Sequence, residues 1–280
     1  MNSVPLNKAL AATVDAAQAA GALMRKNLNA EKKANEITSH DIKLELDVRC
    51  QKLIEKKLYA AFPEVALLGE EGDTGDESAE YRWVVDPIDG TVNFARGIPH
   101  AAVSIALQKK VSPSARRASS PQRKKGIHAT RSTEYETLLG VVYDPFQNEL
   151  WTALRGQPAR LNGRVIRVSK ATHLKDCIVS IGFAKNRSNL ERALPYFTWL
   201  ARRVMKIRMM GSAALALTYV ASGRLDVYIE RGISLWDIAA GGLILECAGG
   251  KFWYGATPGR YKYRMIASNG LVHKKLPPPR

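Results

Sequence analysis

The chain has 280 residues, enough to bury a substantial core as one large domain or two halves, and its composition of 46% hydrophobic, 24% charged and 8% aromatic residues is that of an ordinary globular protein. Lys, Arg or Glu interrupts every apolar run before it reaches membrane-spanning length, which excludes a helical membrane protein. The net charge is +16, and half of that excess lies in residues 109–131, where eight Lys or Arg occur and no acid.

Residues 4–28 carry Ala, Leu, Val and Met at helical spacing with Lys8 and Asp15 included, which predicts an amphipathic first helix of the mature fold and not a signal peptide. Residues 36–44 show no period and read as a loop. A second helix is predicted over 45–60, with Leu46, Cys50, Leu53, Ile54 and Leu58 on one face. Val65–Leu68 reads as a short strand ending at Gly69-Glu70-Glu71-Gly72, and residues 73–80 as an acidic surface loop. Next comes Trp83-Val84-Val85-Asp86-Pro87-Ile88-Asp89-Gly90-Thr91-Val92-Asn93-Phe94. Its β-branched run predicts a buried strand that Pro87 stops, and Gly90-Thr91 predicts a helix start.

Two further strands, Ala101–Leu107 and Leu138–Tyr143, flank the basic segment. That segment is rich in Ser and Pro and poor in apolar residues, the mark of a mobile loop, so residues 109–135 read as an insertion lengthening a hairpin turn. Strands near Trp151 and at Val165–Val168 follow. The second half alternates: strand Cys177–Ile181; a helix over 189–204 containing Pro195; an Ala-Leu-rich helix N-capped by Ser212 and stopped by Gly223; strand Leu225–Ile229; a helix from Asp237 to Ala248; and strand Met265–Ala267. Residues 1–150 and 151–280 therefore read as two halves of a layered α/β sandwich. Cys50, Cys177 and Cys247 are odd in number, far apart and set in apolar stretches, so buried reduced thiols and a cytoplasmic setting are expected. The five histidines are scattered and read as surface or packing residues.

Several segments place acids at strand ends or helix starts: Asp41 and Asp47, Glu70 and Glu71, Asp86 and Asp89, and Asp237. A lone Asp of this kind ordinarily caps a helix. Two carboxylates three residues apart at the end of a buried strand suit a hard cation, and free N–H groups at the helix start behind them suit phosphate. Together they point to phosphate chemistry.

Gly69-Glu70-Glu71, the Asp86–Phe94 run, and Trp236-Asp237-Ile238-Ala239-Ala240-Gly241 through Gly250 resemble the three signatures of the inositol monophosphatase family. The resemblance runs from the first helix to Ile266-Ala267-Ser268-Asn269 and omits only the basic segment. It implies the layered αβαβα sandwich of the inositol monophosphatase and fructose-1,6-bisphosphatase type, and two or three Mg²⁺ ions. Glu70, Asp86, Asp89, Asp237 and the backbone carbonyl of Ile88 match the family's metal ligands. Glu71 matches an acid that positions a water, and Asp47 with Thr91 matches the pair that orients the attacking water. Gly90 and Thr91 amides match the phosphate cradle; Gly211, Ser212 and Ala213 match backbone contacts to substrate, and Glu230 an acid that meets substrate hydroxyls. Four positions depart from the family pattern: Glu36 stands for Lys, Lys43-Leu44 for Val-Thr, and Arg96 for His.

The resemblance implies a Mg²⁺-dependent, lithium-sensitive phosphomonoesterase that acts on inositol monophosphate or a related polyol or sugar phosphate, and commonly a homodimer. Within the superfamily, 3′(2′),5′-bisphosphate nucleotidase and histidinol-phosphate phosphatase are the alternatives. A role of another class, binding RNA or an acidic protein through residues 109–131, rests on the basic segment alone. No aromatic residue interleaves its charges, so the base-stacking platform is missing and a solvated extension without a nucleic-acid partner is favoured.

Overall fold

The computed structural model describes residues 3–30, 34–37, 42–76, 78–111, 135–182 and 187–277. Asp41, His40 and most of the basic segment, residues 112–134, lie outside the described residues. Helices α1 (Leu6–Asn27) and α2 (Glu45–Ala61) form where the apolar spacing predicts them. Between them β1 (Ala34–Ile37) pairs antiparallel with β2 (Ile42–Leu44), in the stretch expected to be a loop. A short ribbon of this kind is held by main-chain hydrogen bonds, which leave no apolar period in the sequence.

The first sheet contains β3 (Ala66–Gly69), β4 (Gly72–Thr74), β5 (Tyr81–Asp89), β6 (Ala102–Lys110), β7 (Tyr135–Asp144), β8 (Glu149–Leu154), β9 (Arg160–Leu161) and β10 (Arg164–Val165). Their order is β10-β9-β8-β7-β6-β5-β3-β4. Helix α3 (Thr91–Ala95) turns the chain from β5 toward β6, and β6 and β7 pair antiparallel across the inserted segment as expected. After β11 (Ile178–Ile181) come α4 (Arg187–Ala201), β12 (Lys206–Arg208), α5 (Ala213–Ala221), β13 (Val227–Ser234), α6 (Leu235–Cys247), β14 (Lys251–Ala256) and β15 (Lys262–Ser268). The second sheet runs β12-β11-β13-β15-β14, with β12, β11 and β13 parallel and β14 and β15 antiparallel. Strands β12 and β14 lie at its edges, and their half-exposed side chains explain why no strand pattern marked them.

Pro87 does not end β5. The strand continues to Asp89, because the pairing with β6 slips between Asp86 and Asp89: Asp86 lies opposite Ser104 and Asp89 opposite Ala102. Three steps along β5 therefore match two along β6, a bulge that accommodates a residue with no N–H to donate. Ser104 and Ala102 are two apart and share a face, so the extra residue turns both acids to the same side of the sheet. Ile88 goes to the opposite face and is buried there.

The side-chain alternation of β5 defines the layers. Trp83 and Val85 pack with Ile105, Leu139 and the α1 and α2 residues Ala16, Ala20, Cys50 and Ile54. Val84, facing the other way, packs with Ala106, Val142 and the apolar sides of α5 and α6, whose far sides meet Tyr228, Met265 and Ala267 of the second sheet. Beyond that sheet, Val179, Ile229 and Ile266 are covered by Leu200, Tyr196 and Phe197 of α4. The layers read αβαβα. The three cysteines are free thiols, Cys50 and Cys177 buried and Cys247 half-buried. No helix among the described residues is long and apolar enough to cross a membrane.

The central helix α6 is enclosed on all sides, with Ile238 to Leu245 buried throughout, so it shows no polar face. Such enclosure requires small residues. A Cβ on Gly140 of β7 would lie 2.7 Å from the Ala240 carbonyl oxygen, and one on Gly242 would lie 2.4 Å from the Phe252 ring. Gly140→Ala is expected to destabilise the protein by about 1–3 kcal/mol by prying α6 from the sheet. Urea unfolding measures this, and an unchanged midpoint would contradict the seating of α6 on β7.

Candidate active site

An open cleft of about 350 Å³ lies where the carboxyl end of β5 meets the second sheet. Its walls include Glu70, Asp86, Ile88, Asp89, Gly90, Thr91, Gly211, Ser212, Ala213, Glu230 and Asp237, so most of the residues singled out in the sequence converge there. Asp47 and Glu71 are not among the residues that line it.

Each acid is fixed by a different element. The N–H of Glu70, just after β3, donates to the Val85 carbonyl at 3.1 Å, which holds the turn against β5. Asp86 accepts from the Ile88 N–H at 3.1 Å and is almost fully buried. Asp237, in the first turn of α6, accepts from the Ser234 N–H at 2.8 Å, and Asp47 accepts from the Leu44 N–H at 2.7 Å at the start of α2. These two are helix-capping acids, as a lone Asp at a helix start ordinarily is. Asp89 reaches across to the second half: Ser212 donates to it through its hydroxyl, and the N–H groups of Ala213 (3.2 Å) and Ala214 (2.8 Å) donate as well. It thereby caps α5.

Ligand oxygens of Glu70, Asp86 and Asp237 lie within 4.8 Å of one another. Like charges this close in a buried place repel strongly, by about 3 kcal/mol per ionised pair at an effective dielectric constant of about 20. Burial first, then Glu70, Asp89 and Asp237, push the Asp86 carboxyl well above the usual carboxylate range. Burial and then Asp237 push Asp89 up to about 7, against the lowering effect of its hydrogen bonds from Ser212, Ala214 and Ala213. A converging set of hard oxygen donors in this state fits a divalent cation such as Mg²⁺, whose charge relieves the repulsion.

The rest of the cleft is built around backbone approach. Gly90 sits at φ +93°, and a Cβ there would meet the carbonyl oxygens of His100 and Gly211 at 3.0 and 3.1 Å. Asn93 Nδ2 donates to the carbonyls of His100 (2.9 Å) and Met210 (3.0 Å) and so staples the 209–212 loop onto α3. The Thr91 hydroxyl donates to the Ile88 carbonyl at 2.9 Å.

Glu230 is half-buried within β13, not exposed at its end, and it accepts from the buried Tyr228 hydroxyl. A Cβ on Gly182 would collide with the Glu230 carboxylate, so only glycine admits the acid there.

Sequence reasoning overlooked several residues. Gln51, one turn beyond Asp47 on α2, accepts from the Glu71 N–H at 3.0 Å and donates to the Gly72 carbonyl at 2.9 Å, clamping the Gly69–Gly72 turn. No pattern in the sequence marked it. Ser180 lines the cleft, is 1% exposed, and its hydroxyl makes no hydrogen bond among the described residues. Asn93 stood inside the Trp83-to-Phe94 run, and its amide was the available signal.

The pattern that describes the inositol monophosphatase family matches residues 6–133 and 130–276. A Nus factor SuhB of Xylella fastidiosa is 37% identical over 240 residues, covering 85% of this chain and 78% of that protein. An inositol monophosphatase of Mesembryanthemum crystallinum is 34% identical over 255 residues, covering 89% and 86%. The solved inositol monophosphatase of Anabaena (Nostoc) superposes with a TM-score of 0.78 at 32% identity, over 99% of this chain and 98% of that one.

A test of the electrostatics follows from Asp89. Its folded-state pKa is raised to about 7, so the proton it holds favours the folded cation-free protein at low pH. That stability is lost as pH rises from the ordinary carboxylate range through 7, by up to about 2–3 kcal/mol between pH 5 and 7. Chemical denaturation in EDTA is expected to show this fall, and added Mg²⁺ is expected to stabilise more at pH 7.5 than at pH 5. A flat profile with no effect of Mg²⁺ would refute the assignment.

Proposed function

We propose that this chain, which belongs to the inositol monophosphatase family, is a Mg²⁺-dependent phosphomonoesterase acting on inositol monophosphate or a related polyol or sugar phosphate. The observation that carries the reading is the convergence of Glu70, Asp86 and Asp237 within 4.8 Å, beside Asp89 and in one cleft with Gly90 and Thr91.

In this reading Glu70, Asp86, Asp89, Asp237 and the Ile88 carbonyl hold the cations. Bound Mg²⁺ supplies charge neutralisation for the phosphate dianion, activation of water and stabilisation of the leaving oxygen. Phosphoryl transfer asks the protein mainly for positioning and charge stabilisation. Thr91 and Asp47 orient the attacking water, and Glu71, held by Gln51, positions a second one. Gly90 and Thr91 present N–H groups to the phosphate, and the strapped 209–212 loop with Gly211, Ser212 and Ala213 borders it. Glu230, set by Tyr228, accepts from hydroxyls of the substrate, which suits a polyol. The same reading takes the chain as a lithium-sensitive homodimer of the cytoplasm.

Glu70→Gln and Asp89→Asn are each expected to lower phosphate release on the order of a hundredfold or more. Glu70 holds no helix cap, so its variant keeps the fold, checked by circular dichroism. Undiminished turnover in both would remove the cation assignment. Substrate class is decided by comparing kcat/KM for inositol 1-phosphate, adenosine 3′,5′-bisphosphate and histidinol phosphate. Faster turnover of the nucleotide or of histidinol phosphate would replace the inositol reading with the corresponding alternative.

The naming of the Xylella relative as a Nus factor favours one second reading, a partner-binding role through residues 109–131. Deleting residues 112–131 and measuring RNA retention beside phosphate release separates the two roles. Retention that does not change would exclude the basic segment from it.

A further inference from the structure

Arg231 and Arg264 face each other directly across β13 and β15, an arrangement that sheets ordinarily avoid because like charges lie opposite. Arg231 follows Glu230 in β13, so the pair lies one residue beyond the cleft wall, at the end of the sheet where β11 stops and the chain crosses to α4. Ligands in open sheets of this kind collect at the carboxyl ends of the parallel strands.

A third arginine, Arg192 of α4, adds its charge to the same place: burial first, then Arg192 and Arg264, lower the Arg231 pKa from its usual value. The Nε of Arg231 is buried and makes no hydrogen bond among the described residues. The guanidinium of Arg264 is set over the Trp253 ring, 5.7 Å from its centre, which fixes its orientation. Other arginines of the fold do meet carboxylates: Arg224 pairs with Glu149, Arg155 with Glu136 and Glu246, and Arg260 with Asp73. Arg231 has no carboxylate partner among the described residues. A half-buried guanidinium whose Nε meets no acceptor, set among positive neighbours, suits an anion with several acceptor oxygens, and the planar guanidinium fork matches phosphate.

We propose that Arg231 and Arg264 form a phosphate-binding site at the mouth of the cleft, separate from the carboxylate cluster. Two sources supply the same chemistry: a second phosphate on a substrate whose first phosphate occupies the cleft, or free inorganic phosphate. The first source rests on the hydrolase reading above; the site itself does not.

The site is tested on the full chain with Arg231→Met, which keeps the stem and removes the charge, and with Arg231→Lys. In EDTA, where the uncompensated acids of the cleft repel anions, sodium phosphate titrated against sodium chloride at equal ionic strength is expected to raise the Tm of the wild type. That rise is expected to vanish in Arg231→Met and to return in part in Arg231→Lys. With Mg²⁺ present, kcat/KM is measured for fructose 1,6-bisphosphate and glycerol 2-phosphate. If the phosphate belongs to the substrate, the ratio of the two falls about tenfold in Arg231→Met. If it is free phosphate, the ratio holds while the Tm response is still lost. An Arg231→Met protein with the same phosphate response and the same ratio as the wild type overturns the proposal. Wild type that hydrolyses no ester, yet loses its phosphate response in the variant, overturns the hydrolase reading and leaves the site standing.

Discussion

The extra residue in β5 between Asp86 and Asp89 is the constraint on which the site depends. In a regular strand two acids three residues apart would point to opposite faces. The slip in pairing with β6, at a proline that has no N–H to give, turns both onto the face that carries α5 and α6. From there Asp86 meets Glu70 and Asp237, while Asp89 reaches Ser212 and the first N–H groups of α5. The same bulge sends Ile88 into the opposite core and leaves its carbonyl at the surface of the cleft, where Thr91 holds it.

Two opposed terms act on those carboxylates. Capping bonds and helix N-termini favour the ionised forms, whereas burial and mutual repulsion favour the protonated ones. Burial, with repulsion added to it, wins in the absence of a cation and raises the Asp86 and Asp89 pKa values. The fold tolerates this because α6 is locked between two sheets by close approach, Gly140 to the Ala240 backbone and Gly242 to the Phe252 ring, and so cannot draw Asp237 away. Packing stability is spent on keeping charges together.

The legibility of the molecule in its sequence followed the strength of local signals. The paired acids with Gly90-Thr91 and the Ser212 cap rest on short-range chemistry, and each stands where its spacing predicts. Pro87 misled, because a local rule about a missing donor was overruled by a bulge that depends on the register of β6. The β1–β2 ribbon, β12 and β14 left no period because edge and ribbon strands answer to main-chain pairing more than to burial. Gln51 and Ser180 were silent for a further reason: their roles are defined by partners or surfaces distant in the chain.

By itself the sequence determined a layered α/β sandwich, through alternating apolar periods, and the phosphate chemistry, through hard oxygen donors set next to turn glycines. Those features are written in neighbouring residues, and the physics that reads them is local. Only the tertiary structure decided which acids converge, that Asp89 spans both halves to cap α5, and that Arg231 and Arg264 lie opposite one another beyond Glu230. These are matters of strand register and layer spacing. Register is a property of two segments at once, and no single stretch of chain carries it.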